Sequence, residues 1–400
     1  MGNGLDWHVT PDGDALGDGS IEFPWNMQTA LAATYLQPGS TLWIHGGQYD
    51  IDFSPRMLVT SPTESDPFTI RAIPGERVVI NGEANFSSGL QYLHVIDLEF
   101  CYLDWLTRDN PGITKQFIFS SPNSKLINCL IHDMSNVLFS SQATGSEWQG
   151  CVVWGNGWDE PDRGHGHALY IQGELPETKS IKDCVFLSGF GFALHGYSEA
   201  GNLGGIHLER SIFCYGRCLL GGSAPVLDAR LNECHLLTNV LQLGFAYGNK
   251  PEENQPQDIT IADSTLALGW WVFPFDPFYS SWNITDDNNI TDISSLDAVY
   301  LYPVGDERAH MVIYNAAELN TVTVDLSSLG WQSGNVKARN AADYFADVQE
   351  LAIANGEIQI AMNNRTVYQP IGHTGSPHAP GLSLHESTFP AFGCFVLELA

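Results

Sequence analysis

A chain of 400 residues with 44% hydrophobic content can bury a large core and is long enough for a solenoid with a second module. Lys and Arg number 17 against 46 acids, a formal net charge of −29; this excludes nucleic acid as a natural partner, because phosphates must be met by cations, and disfavours an anionic membrane surface. No apolar run approaches the ~20 residues of a membrane span, so no membrane insertion is expected, and Met1-Gly2-Asn3-Gly4 shows neither the basic nor the apolar part of a leader.

Residues 1–40 read as an N-terminal cap. Pro24 sits where a helix can begin, and Trp25, Met27, Leu31 and Tyr35 alternate with smaller residues as in a short amphipathic helix that Pro38-Gly39 ends. TLWIHGG from Thr41 reads as a strand, and a helix laid across the open end of a stacked sheet would block edge pairing. Asp12, Asp14, Gly17 and Asp18 carry a faint calcium-loop spacing, but Phe23 stands where the loop's glutamate belongs. A turn is expected there, with no cofactor and no metal assigned beyond that weak calcium echo.

Residues 41–297 read as the solenoid. From Lys125 to Phe275 one short phrase recurs: LINCLIHD from Leu126, WQGCVVWG from Trp148, IKDCVFLS from Ile181, HLERSIFC from His207, LNECHLLT from Leu231 and IADSTLAL from Ile261. Aligned, the phrases share a column of small residues: Cys129, Cys151, Cys184, Ser211, Cys234 and Ser264. Cys in such a column behaves as a small apolar filler, so disulfides and zinc are not expected. A second phrase follows each of the first five (NVLFS from Asn136, HALYI from His167, FALHG from Phe192, RCLLG from Arg217, NVLQL from Asn239), with Leu138, Leu169, Leu194, Leu219 and Leu241 third. The paired repeats predict a right-handed parallel β-helix. The small column advances by 22, 33, 27, 23 and 30 residues. A step near the shortest is a bare coil, and the excess is extruded as loops: chiefly GNGWDEPDRGHG after Trp154, then Tyr197–Gly205 and Phe245–Gln257. Loops of this kind often form a binding surface.

FTIRAIPGERVVINGE from Phe68, GHGHALYIQG from Gly164, GFGFALHGYSEAGNLGGIHLERS from Gly189 and the closing TFPAFGCFVLEL resemble the pectin-lyase-like superfamily of right-handed parallel β-helices, and within it a group of bacterial β-helix proteins. The resemblance implies contact with a polysaccharide or oligosaccharide, and an extracellular or cell-surface location. GHG at Gly164–Gly166 echoes the polygalacturonase motif, whose companion motifs are not matched, so no residue roles are carried over from it.

Beyond Phe275 the repeat ends, and the polar stretch Ser280–Asp297 marks a boundary. TVTVDL from Thr321, EIQIAM from Glu357 and CFVLEL from Cys394 alternate at period two, which predicts a C-terminal antiparallel β-sandwich over residues 298–400, covering the C-terminal end of the solenoid. The fold class is therefore all-β. Sequons occur at Asn85, Asn283, Asn289 and Asn364.

Strand parity locates the chemistry. If the repeated Leu points inward, the outward column is Phe139, Tyr170, His195, Leu220 and Gln242, with Ala168 and Ala193 flooring a shallow site. Asp159, Glu160, Asp162, Arg163 and His165 emerge just before Tyr170; Tyr197 and Glu199 follow His195. Candidate catalytic residues are Tyr170, His195, Asp162, Glu160 and His165. Candidate substrate-binding residues are Arg163, Trp158, Tyr197, Glu199 and Gln242, with Trp158 a ring on which a sugar could stack. Glycoside hydrolysis needs two carboxyl groups; a lyase or uronate epimerase needs a base, a proton shuttle and a cation for the carboxylate. The excess of acids over cations favours a hydrolase. A lyase or epimerase, and a non-catalytic glycan-binding or surface-structural solenoid, stay open, as does the oligomeric state.

Overall fold

The computed structural model describes residues 6–33, 36–55, 62–108, 114–160, 163–198, 203–222, 226–244, 257–272, 282–372 and 385–400. Among these, three parallel sheets of 11, 9 and 8 strands run side by side along the solenoid. A typical coil gives one strand to each: Lys125–Ile127 to the first, Leu130–His132 to the second and Val137–Phe139 to the third. The crossovers joining parallel strands are right-handed, as strand twist requires.

At the N-terminus the helix is one short turn, Met27–Leu31, capped by Asn26, whose side chain accepts the Thr29 N–H. Tyr35 lies outside the described residues. Asp6–Asp14, which no sequence pattern announces, is a strand that pairs with Thr41–Ile44 and extends the first sheet. Trp25, wholly buried, stacks on Trp7 at 4.9 Å. At the calcium-like spacing, Asp14 Oδ1 accepts the Leu16 N–H and Asp18 Oδ1 the Ser20 N–H, which is turn chemistry.

The first repeated phrase is two strands with a bend between them. Asn128, Gly150, Asp183, Arg210, Glu233 and Asp263 form the bend, each with a left-handed backbone. The next residue is the small column, and all six of its members are buried. These side chains do more than fill space. The Cys151 N–H donates to Cys184 Sγ (3.4 Å), the Cys184 N–H to Ser211 Oγ (3.2 Å) and the Cys234 N–H to Ser264 Oγ (3.0 Å). The column therefore needs short side chains with an acceptor atom, and Cys and Ser supply both. All eight cysteines are buried free thiols.

Inward positions stack in register. Leu126, Trp148, Ile181, Leu208, Leu231 and Ile261 pair in succession along the first sheet. Phe86, Phe100, Phe117, Phe119, Phe139 and Trp148 fill the N-terminal half with edge, tilted and stacked ring contacts. Each such ring contributes roughly 1.5–3 kcal/mol by leaving water.

The second phrase departs from the parity read off the sequence. Leu138 pairs with Tyr170, Tyr170 with His195, His195 with Leu219 and Leu219 with Gln242. Phe139 and Leu220 therefore face the core, and Leu138 and Leu219 take their places in the outward column; Tyr170, His195 and Gln242 do face outward. The cause is an extra inward residue in two consecutive coils. Ala168 with Leu169, and Ala193 with Leu194, are adjacent pairs that are both wholly buried, and the ladder shifts register between Phe192 and Leu194. Ala168 and Ala193 are core residues, not the floor of a cleft.

The C-terminal residues form a five-stranded antiparallel sheet, in the order Asp297–Pro303, Arg308–Asn315, Phe392–Leu399, Gly334–Asn340, Val348–Ile353. A two-stranded sheet, Thr321–Asp325 with Glu357–Ala361, packs over one face. The other face lies along the flank of the solenoid rather than over its end: Val312, Tyr314, Cys394 and Val396 pack against Val152, Trp154, Val185, Leu187 and Ile212 of the second sheet. The outward side chains of that sheet are apolar, so a flank needed covering, which the repeat pattern alone does not reveal.

Candidate functional site

Tyr170 and His195 are register partners on adjacent coils of the third sheet, their rings 5.1 Å apart and 25° from parallel. His195 also stacks on Phe192 (4.0 Å), His167 (4.6 Å) and Tyr197 (5.0 Å). Gln172 Nε2 donates to the Tyr170 hydroxyl and to the Tyr197 carbonyl, both at 3.2 Å. The result is an aromatic platform with two imidazoles in it. His167 Nε2 lies 2.8 Å from His195 Nδ1, and His167 Nδ1 lies 2.7 Å from Asn136 Oδ1. Burial pushes His167 down to about 3, with Arg163 and His165 adding to the effect. Burial, then His167 and Arg163, also holds His195 well below the ordinary histidine range. Both rings are neutral near pH 7.

The longest insertion is a hairpin, with Trp158–Asp159 antiparallel to Gly164–His165. Trp158 is buried and stacks against His165 (5.3 Å), so its ring supports the hairpin instead of presenting a face to a sugar. Trp158 Nε1 donates to Glu160 Oε1 at 2.8 Å, and Glu160 Oε2 is 3.8 Å from His165 Nε2. Arg163 is exposed beside the platform. The GHG segment has a backbone explanation: Gly166 has φ +80°, and a Cβ there would sit 2.4 Å from the Gly157 Cα and 2.5 Å from the Ser135 carbonyl oxygen. Gln242 lies two coils beyond His195 and donates to the Gly244 carbonyl at 3.0 Å. Asp162, Glu199 and most of the Phe245–Gln257 insertion lie outside the described residues. The fold thus brings Tyr170, His195 and Tyr197 together, with Arg163 close by, and sets Glu160 and His165 on the hairpin.

Sequence reasoning passed over Asn136, Phe192 and the His167 contact to His195. A signal existed: Asn136, His167, Phe192 and Arg217 are the first residues of successive second phrases, which makes them neighbours up the stack. It also missed the anchor beneath the hairpin. Arg108, buried, donates through Nη2 to Asp133 Oδ1 (2.9 Å), through Nη1 to the Gly157 carbonyl (2.5 Å) and through Nε to the Ile371 carbonyl (2.7 Å), while its own carbonyl accepts the Asp159 N–H (2.8 Å). Asp133 also accepts from the Tyr368 hydroxyl (2.6 Å) and the Ile371 N–H (2.9 Å).

Among the described residues, Glu99, Cys101 and His132 are a group whose ligand-type atoms fall within 4.8 Å of one another. Glu99 already accepts from Arg77 (2.7 and 2.8 Å) and lies 3.1 Å from His132, and burial pushes the Cys101 thiol up. The group is an ion-paired network in which a metal would have to displace a guanidinium.

No family model matches the chain. It is 33% identical over 106 residues to pectate lyase PEL9 of Emericella nidulans, a match covering 24% of this chain; the chain spans about a quarter of that relative's length (25%). Among solved structures it is similar to pectate lyase Pel9A (TM-score 0.41, 12% identity, 72% of this chain and 77% of that one) and to a rhamnogalacturonan lyase (TM-score 0.37, 10% identity, 71% and 87%). No described helix is long and apolar enough to cross a membrane. Stacked three-strand coils around an inward phenylalanine and aliphatic core make the fold a parallel β-helix, and about a quarter of the chain is similar in sequence to a pectate lyase.

Proposed function

We propose that this protein is a carbohydrate-active enzyme that cleaves a polysaccharide laid against the outer face of the third sheet, by elimination, with His195 as the base and Tyr170 as its proton-handling partner. The observation that carries the reading is the register pairing of Tyr170 with His195, which puts a phenol and a neutral imidazole 5.1 Å apart on a rigid strand pair. The surrounding aromatic rings offer a face on which a sugar can stack. Arg163 and Arg217 provide cations for a substrate carboxylate, Arg217 lying 5.9 Å from the Phe192 ring. The sequence segment shared with a pectate lyase supports the same class of chemistry. An extracellular location suits such a substrate.

Acid-rich composition favoured hydrolysis on sequence alone. Among the described residues the groups that converge on the platform are imidazoles, phenols and guanidinium, and this moves the balance to elimination. Hydrolysis keeps one supporting feature, Glu160 on the hairpin 3.8 Å from His165.

The test is a panel of homogalacturonan, alginate, xylan and β-glucan incubated with wild type, Tyr170→Phe and His195→Ala. Ultraviolet absorbance from an unsaturated product, lost in both variants, is the expected result. Reducing ends without that absorbance would replace elimination by hydrolysis, and an inert wild type that still binds one glycan would make the solenoid a binding module.

A further inference from the structure

We infer that Asn136 and His167 are positioning residues that fix His195 in the single tautomer whose lone pair sits on Nε2. This deepens the proposed role of His195 as base and rests on it.

Four polar side chains, Gln116, Asn136, His167 and His195, follow one another up four coils of the third sheet. Asn136 Nδ2 donates to Gln116 Oε1 at 3.4 Å, which turns Asn136 Oδ1 toward the next coil. An amide oxygen only accepts, so the His167 nitrogen 2.7 Å from it must carry the hydrogen. His167 is neutral, so its other nitrogen, Nε2, holds a lone pair. The His195 nitrogen 2.8 Å from that lone pair must then carry a hydrogen too, which assigns the proton to Nδ1. A neutral His195 is left with a bare Nε2. A neutral imidazole has one donor and one acceptor nitrogen, so fixing the role of one nitrogen in His167 fixes the other, and the same holds in His195.

The series ends in an amide, not a carboxylate. When His195 takes a proton on Nε2, its Nδ1–H still points at the His167 lone pair, and among the described residues no counter-charge stands behind it. Among the described residues the charged and titratable groups around the pair are Arg163 and His165 from the hairpin, Glu160 beyond His165, Arg217 from the next coil, and Tyr170 and Tyr197. The nearest charge felt by both rings is the Arg163 guanidinium, which disfavours a second cation. The relay therefore sets the geometry of the base without strengthening it, and burial, then His167 and Arg163, holds the imidazole well below the ordinary histidine range.

Nitrogen-15 NMR of the histidine rings in the full chain reads this without a substrate. In wild type, His195 should show the Nδ1–H tautomer alone and should not titrate near the ordinary value of about 6.5. Asn136→Leu, of similar volume, should release the order and mix the tautomers of both rings. Asn136→Asp keeps the acceptor, preserves the tautomer and adds a charge, so the titration of the pair should move up by about one pH unit or more; a merely structural role for Asn136 would not move it. An Nε2–H signal in wild-type His195, or a tautomer and titration indifferent to both substitutions, overturns the relay. Full cleavage by His195→Ala would instead overturn the functional reading and leave the NMR result standing.

Discussion

Arg108 and Asp133 form an ion pair at 2.9 Å in which both side chains are shielded from water, the first 1% and the second 0% exposed. The guanidinium ties the base of the hairpin to the solenoid, and both partners hold the Tyr368–Ile371 strap of the C-terminal segment. Removing one member leaves the other charged in a dry site. Asp133→Asn or Arg108→Met should therefore cost about 3–5 kcal/mol, measured by denaturant unfolding, and should expose the hairpin to limited proteolysis. Unchanged stability in both would show that solvent reaches the pair.

If Tyr170 and His195 handle protons, Tyr170→Phe and His195→Ala should each lower turnover by about 10²–10⁴-fold while leaving Tm near that of wild type, since both rings stand on the outer face of the sheet. A drop in Tm matching the drop in activity would point instead to a packing role.

Acid should destabilise the fold through histidines buried in the seam between solenoid and C-terminal sheet. His235, 2% exposed, lies between the Tyr302 and Tyr314 hydroxyls (2.7 and 2.9 Å), and burial pushes it down to about 3; His310, 0% exposed, is also held well below its ordinary value, by burial and then Arg308. Their folded pKa values are depressed, so the unfolded chain takes up protons first as pH falls below about 6.5. Stability is thus complete above that value and declines beneath it, by about 1.4 kcal/mol per pH unit for each ring. His132 works in the opposite sense: burial opposes its charge, but Asp133 and Glu99 raise its pKa, so it contributes most at low pH. Tm followed from pH 7 to pH 4 should fall, and His310→Leu should flatten the fall. A slope identical to that of wild type would rule His310 out as a source of the fall.

The small column predicts an asymmetry between two substitutions at one site. Cys184→Ser keeps an acceptor for the Cys151 N–H and should be nearly neutral. Cys184→Val is also small but offers no acceptor, leaving a buried N–H unpaired at about 1–3 kcal/mol. Chemical denaturation of the two variants separates a hydrogen-bonding column from one that only fills volume.

The coils were legible because each repeat restates the same requirement, so Cys129, Cys151 and Cys184 announce one another and period-two stretches such as Thr321–Asp325 emerge as strands. The juxtaposition of Tyr170 with His195 was legible too, since both sit at the same place in their phrases. The phase of the neighbouring coils was not. Aligning Leu138 with Leu169 conserves residue type, whereas the ladder aligns Leu138 with Tyr170, and only backbone pairing distinguishes them. Arg108 was invisible for another reason: it belongs to no repeated phrase, and its partners Asp133, Gly157 and Ile371 are far apart in sequence.

The paired irregularities at Ala168-Leu169 and Ala193-Leu194 carry a consequence for how this surface can change. Deleting one alanine alone would turn its ring out of step with the neighbour and carry a phenol or an imidazole toward the packed interior. Deleting both would keep the two coils mutually aligned while rotating them as a unit against the rest of the stack. Single-residue drift at either place is thus penalised by the other, so the two coils can be altered, or grafted into another solenoid, only as a matched set.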